Sequence, residues 1–406
     1  MSLETSTAVT SDLGIYVHTP FCDRVCPYCD FAVEAAGVLD PDTERRFVDD
    51  LLADLALARN ELAALRSRRS LATVYFGGGT PSRLGAGSIA RVLEALYAAF
   101  AGPAREVTLE LNPVDAELAR VLDFRAAGVT RLSVGLQSLH DLTLKRLGRA
   151  HTGAEALGGL QRCLAAGFAS LSVDLIYAAP GQSEAELLAD VDRVIDLGVD
   201  HVSAYALTIE PGTPFAAARA AGRLDLPPED LPRRLSRLLR ARLAAAGLAA
   251  YEISSFARSG HRSQHNQRYW LRQDVLGLGP SAASFLSGGL GGGRGGGPGD
   301  HRFQNARERG PWQTAVRAGR RALLEDALLP LEECRRETLA LGFRRPEGVS
   351  RAAYLRAFGA PPEAHFAAEL RELVELELVA ERAGRLRLTE RGILFADEVF
   401  LRFAGR

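Results

Sequence analysis

The sequence is poor in the residues that most often announce a function. Its 406 residues include one methionine, two tryptophans and a single lysine, Lys145. Nearly all the basic charge is therefore arginine, and beside abundant alanine and glycine this reads as coding bias. No run approaches the ~20 apolar residues of a membrane-spanning helix. Met1 to Gly14 has neither the basic start nor the apolar run of a signal peptide. The formal net charge is -1, which argues against a general binder of nucleic acid or of membrane surfaces. The chain has five cysteines, too few and too clustered for a disulfide framework. They fit a reducing compartment and a metal site. Hydrophobic residues make up 47% and charged residues 24%, so a sizeable soluble core of two or three domains is expected.

What is present is concentrated near the N-terminus. Cys22, Cys26 and Cys29 fall in the run from His18 to Phe31. Three thiolates on one short loop can hold three corners of a metal centre and leave the fourth open. An iron–sulfur cluster with an open iron is reactive, whereas a fully ligated one mainly carries electrons. A structural zinc site is the alternative, with His18 as fourth ligand. Such sites usually use paired Cys-x-x-Cys knuckles, and this loop has one such pair. Cys163 lies in an apolar helical stretch and reads as a buried small hydrophobe; Cys334 is isolated.

From Gly14 to about Glu210, β-rich runs alternate with helical ones. Strands are predicted at Ile15–His18, Thr73–Phe76, Val107–Leu111, Leu132–Gly135, Leu171–Ile176 and Val202–Leu207, with helices such as Thr43–Arg66 between them. The alternation predicts an α/β fold with a parallel sheet. Six units fall short of the eight of a closed barrel, leaving an open partial barrel or a doubly wound sheet. The unusual residues follow these strands: the cysteine loop, then Gly77-Gly-Gly-Thr-Pro-Ser82, Glu110-Leu-Asn-Pro113 and Gly135-Leu-Gln-Ser138, with Asp174 in the fifth strand. The C-terminal strand ends of parallel folds carry the site, so motifs distant in sequence should converge. Glycines after a strand permit close approach to a ligand, and Asn-Pro after Glu110 would turn that carboxylate inward.

Past Pro214 the pattern changes. A helix is expected over Glu229–Ala245, a strand over Tyr251–Phe256, and a low-complexity surface loop over Gly288–Gly299. From Leu329 the chain is mostly helical and ends as helix, hairpin, helix: Phe366–Leu376, Leu378–Leu388 around Ala383-Gly384, and Glu390–Phe403. That resembles a small winged-helix module, read as a packing domain because the chain is not basic. Four segments are expected: a lead over 1–13, a partial barrel over 14–215, a smaller mixed α/β extension over 216–328, and a helical, winged-helix-like end over 329–406.

The spacing Cys-x-x-x-Cys-x-Tyr-Cys resembles the signature of the radical S-adenosylmethionine superfamily. There the open iron binds the amino and carboxylate groups of the cofactor, and one electron from the cluster cleaves it to methionine and a 5′-deoxyadenosyl radical. The resemblance narrows further. Tyr16-Val-His-Thr-Pro-Phe-Cys22, the Gly77, Glu110 and Gly135 runs, Leu147-Gly-Arg-Ala-His151 and Asp174-Leu-Ile-Tyr177 together look like the oxygen-independent coproporphyrinogen III oxidase family, over nearly the whole chain. It implies a [4Fe–4S] cluster on Cys22, Cys26 and Cys29. It places Tyr16, Gly78, Glu110 and Ala206 against the cluster-bound S-adenosylmethionine. Gly79, Thr80, Gln137, Arg149 and Asp174 then meet a second cofactor molecule or a substrate.

Two departures point to one branch. The oxidases carry a further cysteine where this sequence has Phe31, and a longer N-terminal extension than the thirteen residues before Gly14. Both match the HemW-like haem chaperones. His265-Asn-Gln-Arg-Tyr-Trp270 matches that branch's His-Asn-x-x-Tyr-Trp motif, which implies haem binding by His265, Asn266, Tyr269 and Trp270. An imidazole can ligate haem iron, and the two rings offer flat apolar faces. Ala283 stands where relatives often have histidine. The resemblance thus implies a cytoplasmic haem chaperone, transient at the inner face of the membrane through a membrane-bound respiratory recipient, with a haem-linked homodimer. The alternative is a coproporphyrinogen III dehydrogenase that converts two propionates to vinyl groups with release of carbon dioxide. A zinc-stapled winged-helix regulator would need a fourth ligand and a basic face.

Overall fold

The computed structural model describes residues 12–62, 69–288 and 299–404. Six strands follow one another in chain order: β1 (Leu13–Thr19), β2 (Leu71–Gly78), β3 (Glu106–Leu111), β4 (Arg131–Gln137), β5 (Ser170–Tyr177) and β6 (His201–Ala206). Each is parallel to the next. The crossovers are α1 (Pro41–Glu61), α2 (Ala86–Ala99), α3 (Leu118–Ala126), α4 (Asp141–Arg146) with α5 (Gly153–Ala165), and α6 (Glu184–Asp196). The starts of α5 and α6 are specified locally. Thr152 with Glu155, and Ser183 with Glu186, form reciprocal capping boxes that satisfy first-turn N–H groups.

Strand alternation separates two faces. Val107 and Leu109, Leu132 and Val134, and Leu171 and Val173 are fully or almost fully buried in the apolar core. The residues between them, including Thr108, Glu110, Ser133 and Asp174, face a polar interior. The six units are the expected open partial barrel.

The remaining strands extend the same sheet. β7 (Ser255–Ala257) pairs antiparallel with β6, while β8 (Val275–Leu278) pairs parallel with β1. Beyond β8 come β9 (Ala283–Leu286), β10 (His301–Asn305) and β11 (Leu323–Leu328), all antiparallel. Among the described residues the sheet has 12 strands and two open edges, β11 at one and Ala249–Ala250 at the other. Residues 216–328 therefore build on the barrel sheet rather than forming a second one. Of the strand expected over Tyr251–Phe256 only Ser255 and Phe256 are extended, because residues 251–254 form the bend of a short hairpin between Ala249–Ala250 and β7; Tyr251 Oη in that bend lies 2.8 Å from His201 Nε2. Positions 289–298 of the loop expected over Gly288–Gly299 lie outside the described residues, as does the predicted end of α1 past Leu62.

One buried carboxylate joins α1 to this extension. Asp54, 0% exposed, accepts from the Gly279 N–H at 3.0 Å, Asn305 Nδ2 at 3.1 Å and Trp312 Nε1 at 3.1 Å. Arg321 Nε lies 3.4 Å away.

The C-terminal segment has its own core around Leu339, Phe343, Leu370 and Phe403. It contains the expected helix, hairpin and helix. The hairpin Val379–Arg382 and Arg385–Leu388 turns at Ala383-Gly384, both at positive φ, as a two-residue primed turn requires. Among the described residues no helix is long and apolar enough to cross a membrane.

Candidate cofactor site at the cysteine loop

A cavity of about 670 Å³ opens at the C-terminal ends of the parallel strands and runs down into the polar interior. Cys22, Cys26 and Cys29 line its mouth. The loop sits close to the end of β2 because that end is glycine. A Cβ on Gly79 would come within 2.7 Å of the Phe21 carbonyl and 2.9 Å of Cys22 Sγ, and one on Gly78 would meet the His18 ring at 2.6 Å. Gly78 also adopts φ +109°, which a side chain would strain.

The donor set suits a cluster better than a lone zinc ion. Both nitrogens of His18 are engaged inside the protein, Nε2 with the Ala32 carbonyl at 2.9 Å and Nδ1 with Tyr16 Oη at 3.2 Å. Among the described residues no three Cys, His, Asp or Glu side chains converge on one ion. Soft thiolates select iron–sulfur or zinc chemistry, and here the zinc reading lacks its fourth ligand. Burial pushes the Cys22 thiol up to about 11, with the neighbouring thiols adding to the rise and the Thr80 hydroxyl partly offsetting it. A metal must displace these protons on binding.

Eight of the nine predicted cofactor positions are brought to this wall: Gly78, Gly79, Thr80, Glu110, Gln137, Arg149, Asp174 and Ala206. Gln137 is held at φ +66° at the end of β4. A non-glycine residue there costs about 1–3 kcal/mol of backbone strain, a cost typical of functional positions. Tyr16 is the exception. It is half-buried and stacked on Tyr75, ring centroids 6.1 Å apart, with its hydroxyl 3.2 Å from His18 Nδ1.

Burial lifts the Glu110 carboxyl to about 8, and repulsion from Asp174 adds to the lift. Hydrogen bonds from Tyr75 Oη at 2.8 Å and the Gly78 N–H at 3.2 Å oppose it. Asp174 rises to about 6, again chiefly through burial, against hydrogen bonds from Ser203 and Ser133. At neutral pH Glu110 is thus mostly a neutral acid, able both to donate and to accept. Its folded pKa lies above the unfolded value of 4.5, so the folded chain keeps a proton that the unfolded chain has lost. This contribution to stability is present below pH 4.5 and is lost as pH rises to about 8. Glu110→Gln should therefore raise the Tm of the cofactor-free protein, by an amount that grows from pH 5.5 to 8.5. A gain independent of pH would contradict this assignment.

The haem motif is dispersed. Asn266 reaches the cavity, but His265, on the helix Gln264–Trp270, is 1% exposed. Its Nδ1 bonds Thr73 Oγ1 at 2.8 Å and its Nε2 bonds Tyr269 Oη at 3.0 Å. Burial, with Arg268 nearby, lowers its pKa to about 3. The ring is neutral and has no free nitrogen. Trp270 turns the other way, under the Arg344 guanidinium at 4.2 Å. Both ring nitrogens of His265 are thus hydrogen-bonded within the core, one as donor and one as acceptor, and the ring does not line the cavity.

Sequence reasoning missed Asn112, which joins Arg149 to Thr80 at 2.7 and 3.1 Å, and Tyr75, which holds Glu110. Reading β3 two residues on from Glu110 would have found the first, and reading β2 in the same way the second.

The radical SAM superfamily model matches residues 16–194 and the HemN C-terminal domain model matches residues 329–395. Heme chaperone HemW of Bacillus subtilis is 30% identical over 393 residues, 96% of this chain and 98% of that protein. Heme chaperone HemW of Mycobacterium tuberculosis is 39% identical over 274 residues, 67% of this chain and 69% of that one. The solved structure of coproporphyrinogen III oxidase (HemN) from Escherichia coli, described as a radical SAM enzyme, shares the fold. The TM-score is 0.80 at 24% identity, covering 97% of this chain and 90% of that one. With its cysteine loop, its open parallel barrel and these relatives, the chain belongs to the HemW family within the radical SAM superfamily.

Proposed function

We propose that this protein is a haem chaperone that carries a [4Fe–4S] cluster on Cys22, Cys26 and Cys29, binds S-adenosylmethionine at the open iron, and binds haem for delivery to recipient haemoproteins. Respiratory proteins at the inner face of the membrane are the proposed recipients, with the chaperone itself cytoplasmic and a haem-linked homodimer as its loaded form. The observation that carries the cofactor part is that three cysteines of one loop line the same cavity as eight of the cofactor positions. When bound, the cluster supplies an open iron and one-electron chemistry.

The chain's own residues then orient and shield. Gly78 and Gly79 give backbone access. Glu110, neutral at pH 7, meets ribose hydroxyls as donor or acceptor. Asp174 and Gln137 line the wall where a second small molecule would lie. Phe31 supports the chaperone reading over coproporphyrinogen III dehydrogenase. It is 64% exposed at the cavity mouth, where the oxidases are expected to carry a cysteine.

The test is anaerobic reconstitution followed by haem titration and product analysis with coproporphyrinogen III. Haem binding without turnover is expected; repeated turnover to protoporphyrinogen IX would replace the chaperone with the enzyme. Because His265 has no free nitrogen, His265→Ala should leave the haem absorption spectrum unchanged. Its effect should be on stability, a loss of about 2–4 kcal/mol from the cavity and the two broken hydrogen bonds. A shifted haem spectrum in a folded His265→Ala protein would restore His265 as an iron ligand.

A further inference from the structure

The geometry points to Asn112 as a positioning residue that sets the hydrogen bonding of two of the three cysteine sulfurs. This rests on the cluster reading above. Asn112 follows β3 directly, and its side-chain amide serves two partners. Oδ1 accepts from Arg149 Nη2 at 2.7 Å, and Nδ2 donates to Thr80 Oγ1 at 3.1 Å. The orientation of the amide is fixed, because arginine can only donate. Each partner then directs a donor to a sulfur. Arg149 Nη1 lies 3.8 Å from Cys26 Sγ, and Thr80 Oγ1 lies 3.8 Å from Cys22 Sγ. Arg149 is held a second time by the Gly135 carbonyl at 3.1 Å.

The donor count carries the argument. Thr80 has one hydroxyl hydrogen. Asn112 already donates to its oxygen, so that hydrogen is left for Cys22. Arg149 is a flexible cation, and Asn112 with Gly135 holds the other arm of its fork so that Nη1 faces Cys26. An unbroken path thus runs from Cys22 through Thr80, Asn112 and Arg149 to Cys26. Only a side chain with an acceptor on one side and a donor on the other completes it. A carboxylate at position 112 would keep Arg149 but draw the Thr80 hydroxyl hydrogen away from Cys22; leucine would lose both partners.

Hydrogen bonds and positive charge at cluster sulfurs set the reduction potential. Asn112 touches no sulfur itself and acts through its two partners. The test compares wild type with Asn112→Leu, Thr80→Val and the double variant. All are reconstituted anaerobically and assayed for iron and sulfide, EPR of the reduced cluster and midpoint potential. Each single variant is expected to hold four irons, with a more negative potential and displaced EPR g-values. In the double variant the two shifts should be less than additive, since Thr80→Val removes part of what Asn112 organises. A wild-type potential and spectrum in Asn112→Leu would overturn the proposal, as would strict additivity. If Asn112→Leu does not hold a cluster, Thr80→Val decides alone, and an unchanged potential there would also overturn it. Wild-type protein that takes up no iron would instead overturn the cluster reading, an outcome distinct from failure of the Asn112 path.

Discussion

Replacing any one of Cys22, Cys26 or Cys29 with alanine is expected to abolish the brown chromophore that anaerobic reconstitution gives the wild type, and to bring bound iron close to zero. Three thiolates on one loop hold three irons of a cubane; two leave a second iron without a protein ligand. Cys163→Ala and Cys334→Ala should retain the full chromophore. Both side chains are buried away from the loop, Cys163 on α5 in the barrel core and Cys334 in the C-terminal core. Iron, sulfide and visible absorption on all five variants make the measurement. A Cys26→Ala protein that still holds four irons would overturn the assignment. So would stoichiometric zinc in wild type purified without oxygen.

Asp54→Ala is expected to destabilise the protein by about 3–5 kcal/mol, because it leaves the buried Arg321 guanidinium without its charge partner. It also strips an acceptor from the Gly279 N–H, Asn305 Nδ2 and Trp312 Nε1. Urea unfolding followed by circular dichroism gives the value. Pairing Asp54→Ala with Arg321→Leu should recover part of the loss, since the second change removes the stranded charge. A midpoint equal to wild type in Asp54→Ala would mean that water satisfies these groups and that α1 is not pinned here.

Much of this architecture was legible from local pattern. The six barrel strands alternate or run apolar, and the C-terminal hairpin carries Ala383-Gly384 at its turn. The site was legible where motifs coincide with strand ends, as at Gly78, Glu110 and Gln137. Less legible were neighbours distant in sequence. His265 matches a motif, yet its ring is occupied by Thr73, 192 residues away, and no spacing in the motif records that. Tyr16 likewise packs against Tyr75 of the neighbouring strand, a contact that its own motif does not record. The polar interior was readable but unread. Thr108 and Glu110, Arg131 and Ser133, Ser172 and Asp174, and His201 and Ser203 recur at every second position, each pair on one face of its strand.

The pairing of β1 with β8 carries a consequence for biosynthesis. Gly14 lies opposite Val275, so β1 waits for a strand made far later. During translation β1 can acquire β2 as a neighbour early, while its other edge keeps unpaired N–H and C=O groups until the chain has emerged past Leu278. Contacts this distant slow folding, and an open edge invites pairing with other chains. The cysteine loop leaves directly from that strand. The nascent protein therefore passes through a stage in which Cys22, Cys26 and Cys29 have been synthesised and the strand beside them is still missing. A ribosome-bound chain stopped before residue 275 would exchange its β1 amides with solvent far faster than the finished protein.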